Sequence, residues 1–408
     1  MEIDLGQLRA DMDAINAFGC VEGLPGINRV SFSDADMAGR RWFMGRCEEA
    51  GLETRMDAVG NVLARWNVGS GPAVLAGSHL DSVPNGGAYD GTLGCCAALE
   101  AVRTLMDAGF RPASPIEVVA FAEEEGRFGG MLGSQALCGL VDPDWYAAAT
   151  DETGLPLHEA MSRQGLDPAA LASAARPAAE IKAFVELHIE QGPILELAQS
   201  NIGVATTISG VFNWTIEFEG VANHSGTTPM HLRQDAFAGL ASFAEALPTI
   251  IADIGTDQTR LTIGKVALAP NFPHTIPGSA TFSLIGRDTN ELIMRRVADR
   301  CRSELETAAR SNGLEFAIQE ESRLAPMPLD LDLAQTIDQL AGQRGYASQK
   351  MPCGAGHDAQ SMAAMTRAGL IFVPSKGGIS HAPEEFTTWE DCAKGANVLL
   401  DAIRALSS

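Results

Sequence analysis

Acidic and histidine side chains recur in five short segments of this chain, and in three of them the polar group follows an apolar, strand-like run. The runs AVLA, VVAFA and AFVEL lead to His79, to Glu123–Glu125 and to His188. Open α/β sheets place their sites at the carboxyl ends of strands. With the loops around Asp90 and His381, these segments offer imidazoles and carboxylates but no thiolate, which suits zinc, manganese or cobalt. The sequence therefore predicts a metal centre and an enzyme.

The histidine of the first segment has an acid two residues further along. In an extended segment His79 and Asp81 share one side, so Asp81 can orient the imidazole. Asp90 follows in the glycine-rich stretch GGAYDGTLG. Taken alone, a His-x-Asp triplet is usually uninformative and an Asp-Gly pair is usually a turn, so the prediction depends on their common position after a strand.

Three adjacent acids follow the strand VVAFA. Adjacent carboxylates usually form a solvated surface, but Glu123, Glu124 and Glu125 leave a strand that should be buried, where their repulsion is costly unless a cation neutralises it. Two neighbouring acids with separate tasks, metal ligand and general base, explain this arrangement. His224 (VANHSGTTP) and His357 (GAGHDA) lie in loops of small residues, where ligand contact and simple turn capping remain open alternatives.

Composition limits the possible classes of protein. The 408 residues are 46% hydrophobic and 20% charged, enough for a large core and more than one usual domain. The net charge of −23 argues against nucleic acid or an anionic membrane as a partner. The eight cysteines form no C-x-x-C pair and are expected to be reduced. No signal peptide or membrane span is expected, which favours a cytoplasmic protein.

The pattern of strands and helices changes twice along the chain. Residues 1–207 alternate between strands and helices, which predicts a largely parallel, helix-covered sheet. Residues 208–322 follow the order βαββαβ of a ferredoxin-like domain. Residues 323–408 return to the first pattern. We therefore predict an α/β catalytic domain interrupted by an inserted second domain.

Six segments in order resemble the M20-type metal-dependent amidases, specifically the branch of N-carbamoyl-L-amino acid hydrolases, β-ureidopropionases and allantoate amidohydrolases. They are GSHLDSVPNGGAYDG, AEEEGRF, ELHIEQGPILE, ANHSGTTPM with RQDA, GAGHDA and GGISHAPEE. The similarity runs from about Gly26 to the C-terminus. It implies a metallopeptidase-like catalytic domain with a mostly parallel sheet, and a ferredoxin-like lid and dimerisation domain inserted into it. It also implies a homodimer that acts on a small-molecule substrate.

The resemblance assigns roles to individual residues. It implies two divalent metal ions per subunit (Zn, Mn or Co), with Asp90 shared between them. Glu124 would be the general base, and Asp81 would orient His79. The implied metal ligands are His79, Asp90, Glu125, His188 and His381. The implied substrate contacts are Gln191, His224, His274, Arg287, His357, Gly378 and Ser380.

Three positions depart from the pattern of the family. His274 stands where the family has an asparagine that grips the substrate carboxylate, although Arg287 is kept thirteen residues later. Ile285 stands where the family tends to have aspartate, and EEEGRF is one residue shorter than usual. The scaffold and the hydrolytic chemistry are therefore predicted more firmly than the substrate.

The predicted activity is hydrolysis of a linear ureido or amide bond beside a carboxylate. An N-carbamoyl-L-amino acid, cleaved to the amino acid, carbon dioxide and ammonia, is the first candidate. Allantoate and N-acyl or aminoacyl conjugates are alternatives with the same mechanism. The segments ANHSGTTP and GISHAPEE disfavour a dimetal aminopeptidase, and the full ligand set with Glu124 disfavours a non-catalytic binding protein.

Overall fold

A computed structural model describes residues Met1–Ser408, and its contacts divide the chain into two compact units. The first contains residues 1–206, 328–351 and 356–408, and the second contains residues 207–327 and 352–355. The short segment 352–355 belongs to the second unit because Arg287 donates to the carbonyl of Gly354 and Ser209 donates to that of Cys353. Sequence patterning did not indicate this return.

The helices are distributed over both units. They are α1 (Leu5–Asn16), α2 (Asp34–Glu49), α3 (Thr92–Asp107), α4 (Leu132–Cys138), α5 (Pro143–Ala148), α6 (Leu157–Arg163), α7 (Ile194–Ala198), α8 (Ala236–Ile254), α9 (Glu291–Asn312), α10 (Leu331–Gln343), α11 (Asp358–Ala363) and α12 (Trp389–Ser407).

The strands form one large sheet in the first unit and a smaller sheet and a short ribbon in the second. They are β1 (Glu53–Met56), β2 (Val62–Trp66), β3 (Ala73–His79), β4 (Ile116–Phe121), β5 (Ile181–Ile189), β6 (Ile202–Ile208), β7 (Gly210–Glu219), β8 (Asn223–His224), β9 (Arg260–Thr262), β10 (Val266–Ala269), β11 (Thr275–Ile276), β12 (Ser279–Asp288), β13 (Glu315–Leu324), β14 (Met327–Pro328), β15 (Ser348–Cys353) and β16 (Ala368–Val373).

The large sheet has the order β1-β2-β4-β3-β5-β16-β6-β14, with β15 also beside β6. Its four central strands, β4, β3, β5 and β16, are parallel, and the flanking pairs β1–β2, β2–β4 and β16–β6 are antiparallel. The prediction of a parallel sheet is therefore confirmed for the centre of the sheet. These strands are almost wholly buried, as expected where helices cover a parallel sheet, and α3 and α12 pack against them.

The second unit contains an antiparallel sheet of order β10-β12-β7-β13, with β9 also pairing with β12. With α8 and α9 its chain order is βαββαβ, and the second strand is divided into β9 and β10. At the division, the backbone N–H groups of Gly264 and Lys265 donate to the hydroxyl of Ser283. Asp235 and Asn290 cap the N-termini of α8 and α9, and Gly313 ends α9 in the left-handed conformation.

Helix α8 is unusually apolar for a helix with so much exposed surface. It is the one helix long and apolar enough, by length and composition, to cross a membrane, which departs from the expectation of no such stretch. Its charged residues are Glu245 and Asp253. It packs into the core of the second unit through Leu240, Phe243 and Ile250, yet only 22% of its apolar window is buried.

Candidate metal centre

The site forms where the parallel strands of the first unit end. His79 is the last residue of β3 and lies opposite Phe121, the last residue of β4. His188 lies near the end of β5, and the loop after β16 leads to His381. Because the carboxyl ends of parallel strands meet at one edge, side chains from distant parts of the sequence converge there.

Asp90 lies at the centre of this group. Its Oδ1 is 3.2 Å from Nε2 of His79 and 3.1 Å from Nε2 of His188. Its Oδ2 is 3.6 Å from Nε2 of His381, which in turn is 3.3 Å from Oε2 of Glu125. One carboxylate therefore serves two groups of donors, His79–Asp90–His188 and Asp90–Glu125–His381, each compact enough to hold a cation.

Backbone carbonyls orient the two buried histidines. Nδ1 of His79 lies 3.0 Å from the carbonyl oxygen of Asp81, and Nδ1 of His188 lies 2.9 Å from that of Ile189. If each Nδ1–H donates to its carbonyl, each Nε2 lone pair faces Asp90, which is the usual arrangement of a metal-ligating histidine. The glycine at position 91 permits this approach, since a Cβ there would lie 2.4 Å from the ring of His79.

Burial and the neighbouring charges shift the pKa values of the candidate ligands. Burial lowers the pKa of His79, but the negative charges of Glu124 and Asp90 outweigh it and raise that pKa well above its usual value. Burial would raise the pKa of Asp90, but His188 and His79 hold it well below its usual range. Burial raises the pKa of Glu125, and neighbouring Asp90 raises it further. A divalent cation would relieve this repulsion and would compete with protons for the imidazoles.

The three consecutive glutamates occupy three different environments. Glu123 is fully buried, and its oxygens accept from the N–H groups of Phe128 and Gly130, so it shapes the loop. Oε2 of Glu124 lies 3.7 Å from Nε2 of His79. Burial raises the pKa of Glu124 well above its usual value, which suits a proton acceptor and donor. Glu125 faces the second group of donors.

Asp81 contacts His79 mainly through its backbone. Its carboxylate Oδ1 is 3.9 Å from Nδ1 of His79, farther than the carbonyl oxygen. The carboxylate instead accepts from Ser31, from the N–H of Glu125 and from buried Arg40. Asp81 therefore links the end of β3 to the glutamate loop.

The structure brings two further predicted residues next to Asp90. Nε2 of Gln191 donates to Oδ2 of Asp90 at 2.7 Å, and Oγ of Ser380 lies 3.1 Å from the same oxygen. Gly378 packs against the backbone of Gly192 and Pro193, and a Cβ there would lie 2.8 Å from the nitrogen of Pro193. His357 is 1% exposed, and its ring packs edge-on against His188 at 4.4 Å between centroids, which places it behind a candidate ligand.

The other predicted substrate contacts belong to the second unit. His224 is exposed, and its Nδ1 accepts from the N–H groups of Gly226 and Thr227, which leaves Nε2–H as a donor. The ribbon β8–β11 pairs His224 with Thr275, the neighbour of His274. Arg287 lies on β12 and donates to the carbonyl of Gly354, but it forms no ion pair.

Sequence reasoning missed Glu385 and Arg40. Arg40 is fully buried in α2 and pairs with Asp36 at 2.8 Å and with Asp81 at 3.3 Å. Glu385 is buried against the segment that contains Asp90. The one sequence signal for Glu385 was its place in GGISHAPEE.

His79, His188 and Asp90 form a set of donors that fits a divalent cation. Glu124, which belongs to neither group of donors, lies beside them as a possible proton acceptor. Together these side chains define the centre of a metal-dependent hydrolase. Residues 75–405 match the peptidase family M20/M25/M40. The chain belongs to this metal-dependent family.

Relatives narrow the class of reaction. The N-carbamoyl-L-amino-acid amidohydrolase of Paenarthrobacter aurescens is 38% identical over 94% of this chain and 93% of its own length. The allantoate amidohydrolase of Escherichia coli is 36% identical over 94% of each. A crystal structure of an amidase of the hydantoinase/carbamoylase family from Burkholderia multivorans has a TM-score of 0.90 at 32% identity, covering 100% of this chain and 98% of that one. The protein is thus a hydrolase that acts on carbon–nitrogen bonds.

Addition of Mn²⁺ or Co²⁺ to chelator-treated protein should raise its melting temperature. At a hundred times the dissociation constant, one bound ion stabilises a fold by about 2.7 kcal/mol. The gain should shrink as the pH falls, because protons compete for His79 and His188. Asp90→Asn replaces one oxygen of the shared carboxylate with an NH₂ group and removes its negative charge. This variant should lose most of the gain in melting temperature. Asp235→Asn, at the N-terminus of α8 in the second unit, should keep it, and an equal gain in both variants would contradict the assignment.

Proposed function

We propose that this protein hydrolyses a linear ureido or amide bond beside a carboxylate, with an N-carbamoyl-L-amino acid as the first candidate substrate. The main support for this proposal is that Asp90 belongs to both groups of donors and that Glu124 lies beside them. The names of the relatives support ureido substrates. Allantoate remains the second candidate, because an allantoate amidohydrolase is among the relatives and His274 replaces the asparagine typical of the family.

His79, Asp90 and His188 would hold one divalent cation, and Asp90, Glu125 and His381 would hold a second. The two cations would polarise the scissile carbonyl and lower the pKa of a water molecule. Glu124 accepts the proton of the attacking water and passes it to the leaving nitrogen. With ammonia as the leaving group, the remaining N-carboxy amino acid, a carbamate, loses carbon dioxide to give the amino acid.

The second unit supplies groups suited to substrate recognition. Arg287 has no acidic partner, and burial lowers its pKa, so a substrate carboxylate would compensate its buried charge. Ile285 lies on the same face of β12, two residues away. His224, fixed as an Nε2–H donor, is suited to stabilising the oxygen of the tetrahedral intermediate.

A homodimer is the assembly we propose. Strand β10 forms one edge of the smaller sheet, and Val266 on it is 49% exposed. Helix α8 also exposes Phe237 (49%) on its apolar surface. An unpaired edge and an exposed apolar helix are surfaces that association would cover.

Glu124→Gln should keep its cations and lose most turnover, because the amide cannot accept the proton. General-base catalysis contributes about 10²–10⁴-fold. Glu125→Gln is the matched control, since the same change one residue away removes a ligand oxygen and should reduce cation occupancy from two ions to one. Elemental analysis and initial rates distinguish the two. Near-normal turnover of Glu124→Gln would place the base elsewhere.

Arg287→Ala should raise KM for carboxylate substrates by about 10- to 100-fold, because a charge-assisted hydrogen bond contributes about 1.5–3 kcal/mol. A neutral amide analogue should be nearly unaffected. Arg260→Ala is the control, since Arg260 lies opposite Arg287 on the neighbouring strand and contacts only backbone carbonyls. An equal effect of Arg287→Ala on both substrates would refute the carboxylate assignment.

His224 and the candidate metal ligands belong to different units of the chain. We propose that His224 serves the site of the partner subunit, as the resemblance implies. Inactive His224→Ala and Glu124→Gln proteins should then regain activity when dissociated and mixed. One site of each mixed dimer carries both wild-type residues, so statistical mixing should restore up to about a quarter of normal turnover. A verified mixed dimer without activity would show that His224 acts in its own chain.

A further inference from the structure

Glu385 holds together two of the three loops that supply the second group of donors. It is only 4% exposed. Its Oε1 accepts from the N–H groups of Tyr89 and Asp90, at 2.9 and 3.0 Å. Its Oε2 lies 2.8 Å from the hydroxyl of Ser380, which is also 3.1 Å from Oδ2 of Asp90. Glu385 therefore fixes both the backbone and the carboxylate of Asp90.

The two groups of donors differ in how the fold supports them. His79 and His188 are on strands, are 1% exposed and have carbonyl acceptors for Nδ1. His381 is on a loop, its side chain is 51% exposed, and its φ is +55°. The loop after β16 is joined to the segment before α3 through Glu385, four residues beyond His381. The second group therefore depends on Glu385 more than the first does.

Gly87 provides independent evidence that the carboxylate of Glu385 is closely packed. A Cβ at this position would lie 2.1 Å from the carboxyl carbon of Glu385. The φ of Gly87 is not positive, so the backbone itself does not require glycine there. The space that the missing side chain leaves is occupied by the carboxylate of Glu385.

We infer that Glu385 is a positioning residue for the cation held by Asp90, Glu125 and His381, and that Gly87 is glycine in order to admit it. This inference rests on the two-ion centre proposed above. Glu385 forms no hydrogen bond with a side chain of the candidate ligands; it acts by fixing Asp90 and, through Ser380, the loop of His381. Residues that support ligands in this way typically alter metal affinity by about 10- to 100-fold when removed.

The first test is calorimetric titration of the chelator-treated full-length protein with Co²⁺, with the visible spectrum of the bound ion as a second readout. Glu385→Ala should weaken the second binding event about 10- to 100-fold and leave the first little changed. Glu385→Gln should retain both events, because its amide oxygen can accept from Tyr89 and Asp90 while its NH₂ donates to Ser380. Asp235→Ala, which removes an acceptor of two backbone N–H groups in the second unit, should also retain both.

The second test is a double-mutant cycle. Gly87→Ala should reproduce the loss of the second binding event by displacing the carboxylate of Glu385. In the Glu385→Ala background the same change should have little further effect, because the clashing atoms are gone. Additive losses would show that Gly87 acts independently of Glu385 and would overturn that part of the inference.

Wild-type protein separates failure of this inference from failure of the proposed function. If wild type binds two ions and Glu385→Ala binds both with unchanged affinity, Glu385 is not a positioning residue. If Glu385→Ala weakens both events equally, Glu385 does not act selectively on the second ion and the inference is wrong. If wild type itself binds fewer than two ions, the two-ion centre is wrong, and the assignment of Glu385 to its second ion is wrong as well.

Discussion

The burial of many carboxylates at one sheet edge is the constraint on which the rest of the first unit depends. A buried charge is unfavourable unless the protein supplies partners for it. Asp81 has Arg40 and a serine hydroxyl, Glu123 has two backbone N–H groups, and Glu385 has two more. Glu124 and Glu125 face the centre, and burial raises the pKa of each. The acids with fixed hydrogen-bond donors hold the loops of the site in place. Glu124 and Glu125, which face its centre, are available for proton transfer and metal binding.

Much of this arrangement could be predicted because strand ends are recognisable in a sequence. The apolar runs of β3, β4 and β5 are buried parallel strands, and acids or histidines follow each of them. The order βαββαβ was readable because its two helices, α8 and α9, are long and separate clear strand patterns. Strands β6, β14 and β15 were not predicted, since they lie at the margin of the sheet and carry weaker patterns.

Contacts that depend on the course of loops could not be predicted in the same way. Glu123, Gln191 and His381 all have positive φ, which side chains other than glycine seldom adopt and which periodicity does not reveal. Glu385 reads in the sequence as an ordinary surface acid, and only the approach of the loop to Gly87 shows that it is buried. Arg40 likewise reads as one charge on an amphipathic helix, although it lies under the site.

The split of the first unit has a consequence for the synthesis of the chain. Strand β16 lies between β5 and β6 in the large sheet, and α12 packs on β5 and β16, so the last forty residues fill the middle of the first core. The second unit is almost continuous, from residue 207 to residue 327. On a ribosome the inserted unit can fold while the first core still lacks a central strand. The surface of β5 that β16 and α12 cover therefore stays exposed until residues 368–407 have been synthesised.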